Sequence, residues 1–251
     1  MTAPLEPRIS IALPLFESEP HPCSYLPDRT ATTEYSVPQA FAPIGTNPPL
    51  TAEDYQALMD AGFRRSGIAV YRTACDSCRE CVPIRVPVAT FRPSRSQRRA
   101  ERRNRDVSVQ IGKPQPDDEK YSIFEAYQRD HHASNPVESR EEFEAFLYQS
   151  PVHSLEMVYR VGSAVAGVGI VDIASQSLSS VYFYFDPAHA RRSLGTFSAL
   201  KEIDLCRQMG KPYWYAGYYI RECDRMNYKA AFGPYQLLDQ HGQWKPSEEP
   251  L

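Results

Sequence analysis

The segment LSSVYFYFDPAHARRSLGTFSALKEIDLCRQMGKPYWYAGYYI, residues 178–220, holds the run of elements on which the fold turns. Leu178 to Phe185 is rich in aromatic and β-branched residues and reads as a strand, with Pro187 breaking pairing just beyond it. Leu194 to Met209 carries apolar residues at helical spacing, Gly210 supplies a stop, and Pro212 follows the stop. Tyr213 to Ile220 is again strand-like. A strand, a helix and a second strand in this order imply helices packed on a sheet.

Working outward, Leu155 to Tyr159 and Ala164 to Ala174 join Leu178 to Phe185 in a three-strand meander. Residues 119–132 and 138–149 read as helices, the second capped by Ser139 and Glu142, and Val107, Val109 and Ile111 alternate as a strand. Downstream, a short helix near Asp224 to Ala231 precedes a strand at Tyr235 to Leu238. The expected fold is α+β, a mixed sheet flanked by helices, similar to the acyltransferase fold called GNAT. The predicted boundaries are a Cys- and Arg-containing N-terminal region at 1–106, the acyltransferase-like domain at 107–240 and a tail at 241–251.

The N-terminal region is irregular, since ten of the 22 prolines fall in its first fifty residues. Thr51 and Asp54 make a capping pattern for a helix that Gly62 ends, and FRRSGIAVYRTAC reads as a strand leading into the cysteines. Val82, Ile84, Val86 and Val88 alternate with Arg85 on the opposite face; Pro83 and Pro87 remove two ladder donors and confine that strand to an edge or a bulge. Ser94 and Gln97 form a capping box for a helix reaching about Arg105, with Arg95, Arg98, Arg99, Arg102 and Arg103 along one side. Residues 61–105 hold 12 arginines and no lysine against three acids, a local charge of +9 in a chain whose net charge is −3. Like charges at i, i+4 and cations in the first helical turn each cost a few tenths of a kcal/mol. A solvated basic face is the plain reading; with so few acids in reach, a phosphate-bearing partner, nucleic acid, explains the pattern better.

Six cysteines in 251 residues do not make a disulfide scaffold, and the N-terminus has no export signal, so a cytoplasmic protein is expected. No window approaches 18 consecutive apolar residues, and no membrane partner is expected. Cys75, Cys78 and Cys81 are each separated by two residues, with Cys23 as a fourth thiol. Such spacing suits zinc or an iron–sulfur cluster, and equally suits reduced structural cysteines.

The segments YLPDRTATTEY, GFRRSG, YRTACDSCRECVP, FRPSRSQRRAERRN, YQRDHHASNP, YFYFDP, SLGTFSALKEIDLC and WYAGYYIRECDRMNYKAAFGPYQLL occur in this order between Cys23 and Leu238. Together they resemble the bacterial aminoacyl-tRNA protein transferases of the N-degron pathway, on the leucyl branch that modifies N-terminal Asp or Glu and is related to the eukaryotic arginyl transferases. The resemblance implies an aminoacyl-tRNA donor, most often leucyl, protein acceptors with acidic N-termini, and a product marked for degradation. The eukaryotic relatives bind an iron–sulfur cluster through N-terminal cysteines whose spacing differs from that found here.

An aminoacyl ester is already activated, so its attack by an α-amine needs neither ATP nor a cofactor. The reaction requires a proton acceptor for an amine titrating near ~7.7–8.0, donors for the oxyanion and a proton source for the leaving ribose oxygen. GNAT folds supply the oxyanion donors from backbone N–H groups at a bulged central strand. Asp186 and Tyr184, expected on one face of the strand 181–187, are the candidates for the amine and the oxygen respectively; Asp186 is equally a turn residue before Pro187, and aromatic strands also fill cores. His132 is a third catalytic candidate and His131 a substrate contact, both ending a helix near the sheet with imidazoles that titrate in the useful range. An acidic acceptor calls for cations, and Arg72, Arg29 and Lys229 lie in the family-like segments, although each also suits a surface ion pair. Trp214, Tyr218, Tyr219 and Tyr228 are expected to wall the aminoacyl pocket. Two rivals remain in view: an acetyl-CoA-dependent N-acetyltransferase on the same fold, and a non-catalytic, metal-containing RNA-binding protein. Coenzyme A is disfavoured because Phe197 stands where the pyrophosphate loop wants a small residue.

Overall fold

Thr51 starts the first helix. Its hydroxyl accepts the Asp54 N–H at 3.1 Å while the Asp54 carboxylate accepts the Thr51 N–H at 3.0 Å, the reciprocal box expected from the sequence and worth about 1 kcal/mol. The computed structural model describes residues 10, 12–43, 45–131 and 139–247. In its N-terminal part come β1 (Phe16–Glu17), β2 (His21–Pro22), β3 (Thr30–Ala31), β4 (Thr33–Ser36), α1 (Ala52–Asp60), β5 (Arg64–Ser66) and β6 (Ala69–Thr73). β2 and β3 pair with each other; the rest form a four-stranded sheet in the order β1-β4-β6-β5. The single strand expected over 63–75 is a hairpin, because Gly67 adopts φ +54° and turns the chain. Tyr55, Leu58 and Met59 of α1 pack with Phe63, Val70 and Tyr215 in a core that ties this part to the next.

The remaining elements are β7 (Val82–Pro87), α2 (Arg95–Arg103), β8 (Val107–Gly112), α3 (Asp118–His131), α4 (Arg140–Leu147), β9 (Ser154–Val161), β10 (Ala164–Ile173), β11 (Ser177–Phe185), α5 (Leu194–Gln208), β12 (Tyr213–Tyr219), α6 (Asp224–Asn227), β13 (Gln236–Leu238) and β14 (Trp244–Pro246), with 3-10 turns at Pro187–Arg192 and Tyr228–Phe232. Eight strands make one sheet in the order β14-β13-β7-β12-β11-β10-β9-β8. All its pairs are antiparallel except β11 with β12, giving the mixed sheet expected. Leu194, Phe197, Leu200 and Ile203 of α5 pack on one face, and Phe124, Phe143 and Leu147 of α3 and α4 on the other. The period of two divides β11 accordingly: Phe183 and Phe185 pack with the α5 core, Tyr182 and Tyr184 with the α3–α4 core.

β7 is an interior strand, not an edge; the bulge alternative is met on β12, where the register shifts between Tyr215, opposite Arg85, and Tyr218, opposite Pro83, and β13 pairs only with Ile84 and Arg85 and so asks nothing of the missing N–H groups of Pro83 and Pro87. The sheet takes β7 from residues before 106 and β14 from residues after 240. Arg85 fastens the junction, reaching Gln236, Asp60 and the Tyr215 hydroxyl at 2.7, 3.0 and 3.0 Å.

Candidate active site

β11 and β12 share only three register pairs, Ser177–Tyr213, Leu178–Trp214 and Ser179–Tyr215. Past these the strands part, and each is bent by a bulge. On β11, Val181 has no partner between Ser180, opposite Val171, and Tyr182, opposite Ile170. On β12, Gly217 at φ +87° lies in the register break between Tyr215 and Tyr218. The wedge is a cavity of about 410 Å³, in the range of small-molecule sites. Its walls come from Ser180–Phe183 on one strand and Ala216–Tyr218 on the other, from Gly195, Ser198 and Glu202 of α5, from Tyr228 and Lys229 of the following turn, and from Arg64 and Tyr71 of the N-terminal sheet. Val181, the bulged residue, leaves backbone groups outside the ladder at the cavity wall, where an oxyanion would want donors.

The cavity is positively charged. Arg64, 4% exposed, donates to the carbonyls of Phe63 at 2.6 Å and Gly217 at 3.1 Å and lies 5.4 Å from the ring centres of Tyr215 and Tyr218. Its buried Nε has no hydrogen-bond partner among the described residues. Lys229 donates to the Tyr218 carbonyl at 2.8 Å and approaches Met226 Sδ at 3.5 Å; burial first, and then the Arg64 charge, push its pKa down to about 7. Among the described residues neither cation forms an ion pair, whereas neighbouring Arg65 is neutralised by Asp172 at 2.8 and 3.0 Å. Two buried cations without counter-charge call for an anionic ligand.

The arginine helix is bonded to two segments that adjoin cavity-lining residues in the sequence. Gln97 donates to the Ala231 carbonyl at 3.0 Å, in the turn that carries Tyr228 and Lys229. At its other end, Arg103 donates to the Arg191 carbonyl at 2.6 Å and Ser193 Oγ at 3.2 Å, and Asn104 to the Arg192 carbonyl at 2.8 Å, just before Gly195. Arg95, Arg98, Arg99, Arg102 and Arg103 are all exposed. The nearby acids are engaged elsewhere, Glu101 with Lys201 at 4.0 Å and Asp106 with Arg192 at 2.9 Å.

Residues 119–239 match a family model for the C terminus of arginine-tRNA-protein transferases, and residues 21–99 match the model for their N terminus. Curated relatives named aspartate/glutamate leucyltransferase include those of Chromohalobacter salexigens, 38% identical over 90% of each chain, and Methylobacillus flagellatus, 36% identical over 98% of this chain and 96% of the relative. The chain belongs to the arginine-tRNA-protein transferase family. It is therefore an aminoacyltransferase. Solved structures similar to this transferase include a C-terminal DUF2156 domain from Agrobacterium fabrum (14% identity, 76% of this chain and 62% of that one, TM-score 0.48) and FemX (8%, 69% and 61%, 0.46).

Of the residues that sequence reasoning nominated for this transferase, Lys229, Trp214, Tyr218 and Tyr228 line the cavity. His131 stands one layer behind, stacked 4.3 Å from Tyr127 and edge-on to Phe185 at 5.4 Å, both cavity residues. Tyr219 lies against Tyr235 and the α5-side core, outside the lining. Tyr184 is fully buried on the α3–α4 face, its hydroxyl 3.3 Å from that of Tyr148 and its ring against Phe124, so β-strand alternation gives it packing work. Asp186 accepts the Ala188 N–H at 2.9 Å and starts the 3-10 turn, the turn role that its place before Pro187 also allowed. Arg72 is held by Glu34 at 2.6 Å over the Phe63 ring, and Arg29 by Cys78 Sγ at 3.3 Å and Glu222 at 3.7 Å, so local partners hold both outside the cavity. His132 lies outside the described residues. Phe197 packs in the core against Tyr159, so it is not a ring standing in a phosphate cradle. Arg64 and Glu202 were missed; the signals were an arginine pair in GFRRSG and an acid on the buried stripe of α5, four residues after Ser198.

The cysteines do not fit a resident metal or cluster. Among the described residues no three His, Cys, Asp or Glu side chains form a group suited to an ion. Cys75 donates to the Thr32 carbonyl at 3.7 Å and a guanidinium occupies Cys78. Burial, then the nearby Cys23, Cys75 and Cys78, push the Cys81 thiol up to about 12.

Proposed function

We propose that this transferase moves an aminoacyl group, leucine first among donors, from charged tRNA to the α-amine of proteins beginning with Asp or Glu, and so creates a destabilising N-terminus. The observation that carries the reading is the attachment of the exposed arginine helix to the segments next to Lys229 and Gly195, both of which line a cavity holding two cations without an ion pair among the described residues. Arg95, Arg98, Arg99, Arg102 and Arg103 offer phosphate contacts to the acceptor stem, whose terminal aminoacyl ester then enters between β11 and β12. Lys229 and Arg64 meet the acceptor's side-chain carboxylate. Groups at the Val181 bulge receive the oxyanion, and Trp214, Tyr218 and Tyr228 enclose the reacting groups and exclude water. His131, one layer back, orients the Tyr127 and Phe185 rings. No step requires coenzyme A, a metal or a membrane, and among the described residues no helix is long and apolar enough to cross one.

Purified protein given radiolabelled leucyl-tRNA should label a peptide beginning with Asp or Glu and leave one beginning with Ala unlabelled. Labelling from arginyl-tRNA in preference to leucyl-tRNA would overturn the donor assignment. Labelling from acetyl-CoA would overturn the reaction itself.

A further inference from the structure

Glu202 is the one acidic side chain among the described residues that line the cavity, and nothing so far gives it a task. It sits on α5, 1% exposed, where the two strands part. One carboxylate oxygen accepts the indole N–H of Trp214 on β12 at 2.8 Å; the other accepts Ser198 Oγ at 3.2 Å, and Ser198 Oγ is itself 3.0 Å from the Tyr159 hydroxyl. The Ser180 side chain on β11 is a further hydrogen-bond partner. The carboxylate therefore spans the vertex of the wedge, tied to both diverging strands.

These partners are all neutral, and among the described residues Glu202 forms no ion pair. An apolar side chain would fill the same place without the cost of a buried charge. The other titratable groups around it are Tyr159 on β9, Tyr228 on the turn after α6 and Cys206 on its own helix, with Arg64 and Lys229 on the same cavity. Burial pushes the carboxyl up to about 7, against the pull of its Trp214, Ser180 and Ser198 hydrogen bonds. Such a group exchanges a proton readily near neutral pH.

We infer that Glu202 is the proton acceptor for the incoming α-amine, an inference that rests on reading the cavity as the aminoacyl-transfer site. The acceptor ammonium first gives one proton to solvent. The free amine then attacks the ester carbonyl: the N–C bond forms and the carbonyl π pair moves onto oxygen. As the adduct collapses, the carbonyl re-forms, the C–O bond to the ribose breaks, and the second amine proton passes to Glu202 and from there to the ribose oxygen. The products are an amide, tRNA with a free hydroxyl and an ionised Glu202.

Glu202→Gln keeps the volume and an acceptor for the Trp214 N–H. Single-turnover leucyl transfer by this variant to an Asp-initiated peptide should fall about 10²–10⁴-fold, the span of general acid–base catalysis. KM for tRNA and for peptide should stay near wild type, and the melting temperature at neutral pH should not fall, since Gln removes the cost of the buried charge. Formate added to Glu202→Ala should restore part of the lost rate, which a merely structural role would not allow. A Gln variant with wild-type kcat, or a loss carried wholly by KM or by melting with no formate rescue, overturns the role of Glu202 while leaving the transferase reading intact. Wild-type protein that transfers nothing overturns that reading and this role with it.

Discussion

Replacing Lys229 with methionine separates what the cavity does for recognition from what it costs the fold. In the unfolded chain this amine titrates at its ordinary 10.5; in the folded protein burial and Arg64 bring it down to about 7. Between those values the unfolded state binds the extra proton, so wild-type stability rises with pH across that window. Below about 7 both states are protonated and the full cost of the buried charge is present. The difference corresponds to roughly 5 kcal/mol, less about 1 kcal/mol for the hydrogen bond to the Tyr218 carbonyl that methionine cannot make. Lys229→Met should therefore melt roughly 8–16 °C higher than wild type at pH 6, and the advantage should vanish by pH 10. Its preference for an Asp-initiated over an Asn-initiated peptide should collapse by about 30-fold or more, the loss expected when one partner of a buried charge pair is removed. Thermal melts from pH 6 to 10, together with paired kcat/KM values on the two peptides, provide the assay. A variant that melts lower than wild type at pH 6, or that keeps its Asp over Asn preference, would refute the assignment of Lys229 as a strained cation waiting for an anion.

Arg98→Glu combined with Arg102→Glu should raise the tRNA concentration needed for half-maximal rate without altering acceptor choice, and should lower the slope of log affinity against log salt by about 1.5–2, measured by filter binding. Gly217→Ala should cost about 1–2 kcal/mol in a denaturant melt, because its φ of +87° is left-handed and its new methyl would sit 3.5 Å from Lys229 Nζ; transfer should fall with it. Tyr184→Phe should leave the transfer rate within about twofold of wild type, losing only the contact with Tyr148, at most about 1 kcal/mol of stability. Asp186→Ala should lower stability by about 1 kcal/mol through the lost cap while retaining turnover, read from the same melts and a single-turnover assay.

Local chemistry was legible in the sequence, and long-range pairing was not. The boxes at Thr51/Asp54 and Ser94/Gln97 are closed within four residues, and both form as the spacing implied. The place of β7 depends on partners such as Gln236, 151 positions from Arg85, and proline counting alone could not reveal a neighbour too short to need the missing donors. Arg64 looked like one more charge in a basic stretch; what distinguishes it is the carbonyl of Gly217, 153 positions away, together with the absence of any ion pair among the described residues. Tyr184 lies on β11 and Asp186 just past its end, where proline at the next position favours capping, and alternation turns the Tyr184 ring to the α3–α4 face. The cavity itself arises from the bulges at Val181 and Gly217, and of these only the glycine leaves a mark in the sequence.

The interior position of β7 bears on how such a chain can be inherited. A fragment beginning at Val107 would leave β12 without its antiparallel neighbour and β13–β14 with no strand to lie against, while the part before it would end in an orphaned strand. The region matched by the N-terminal family model thus lends one strand, β7, to a sheet whose other strands come from later residues, so a cut between the two matched regions would pass through shared structure.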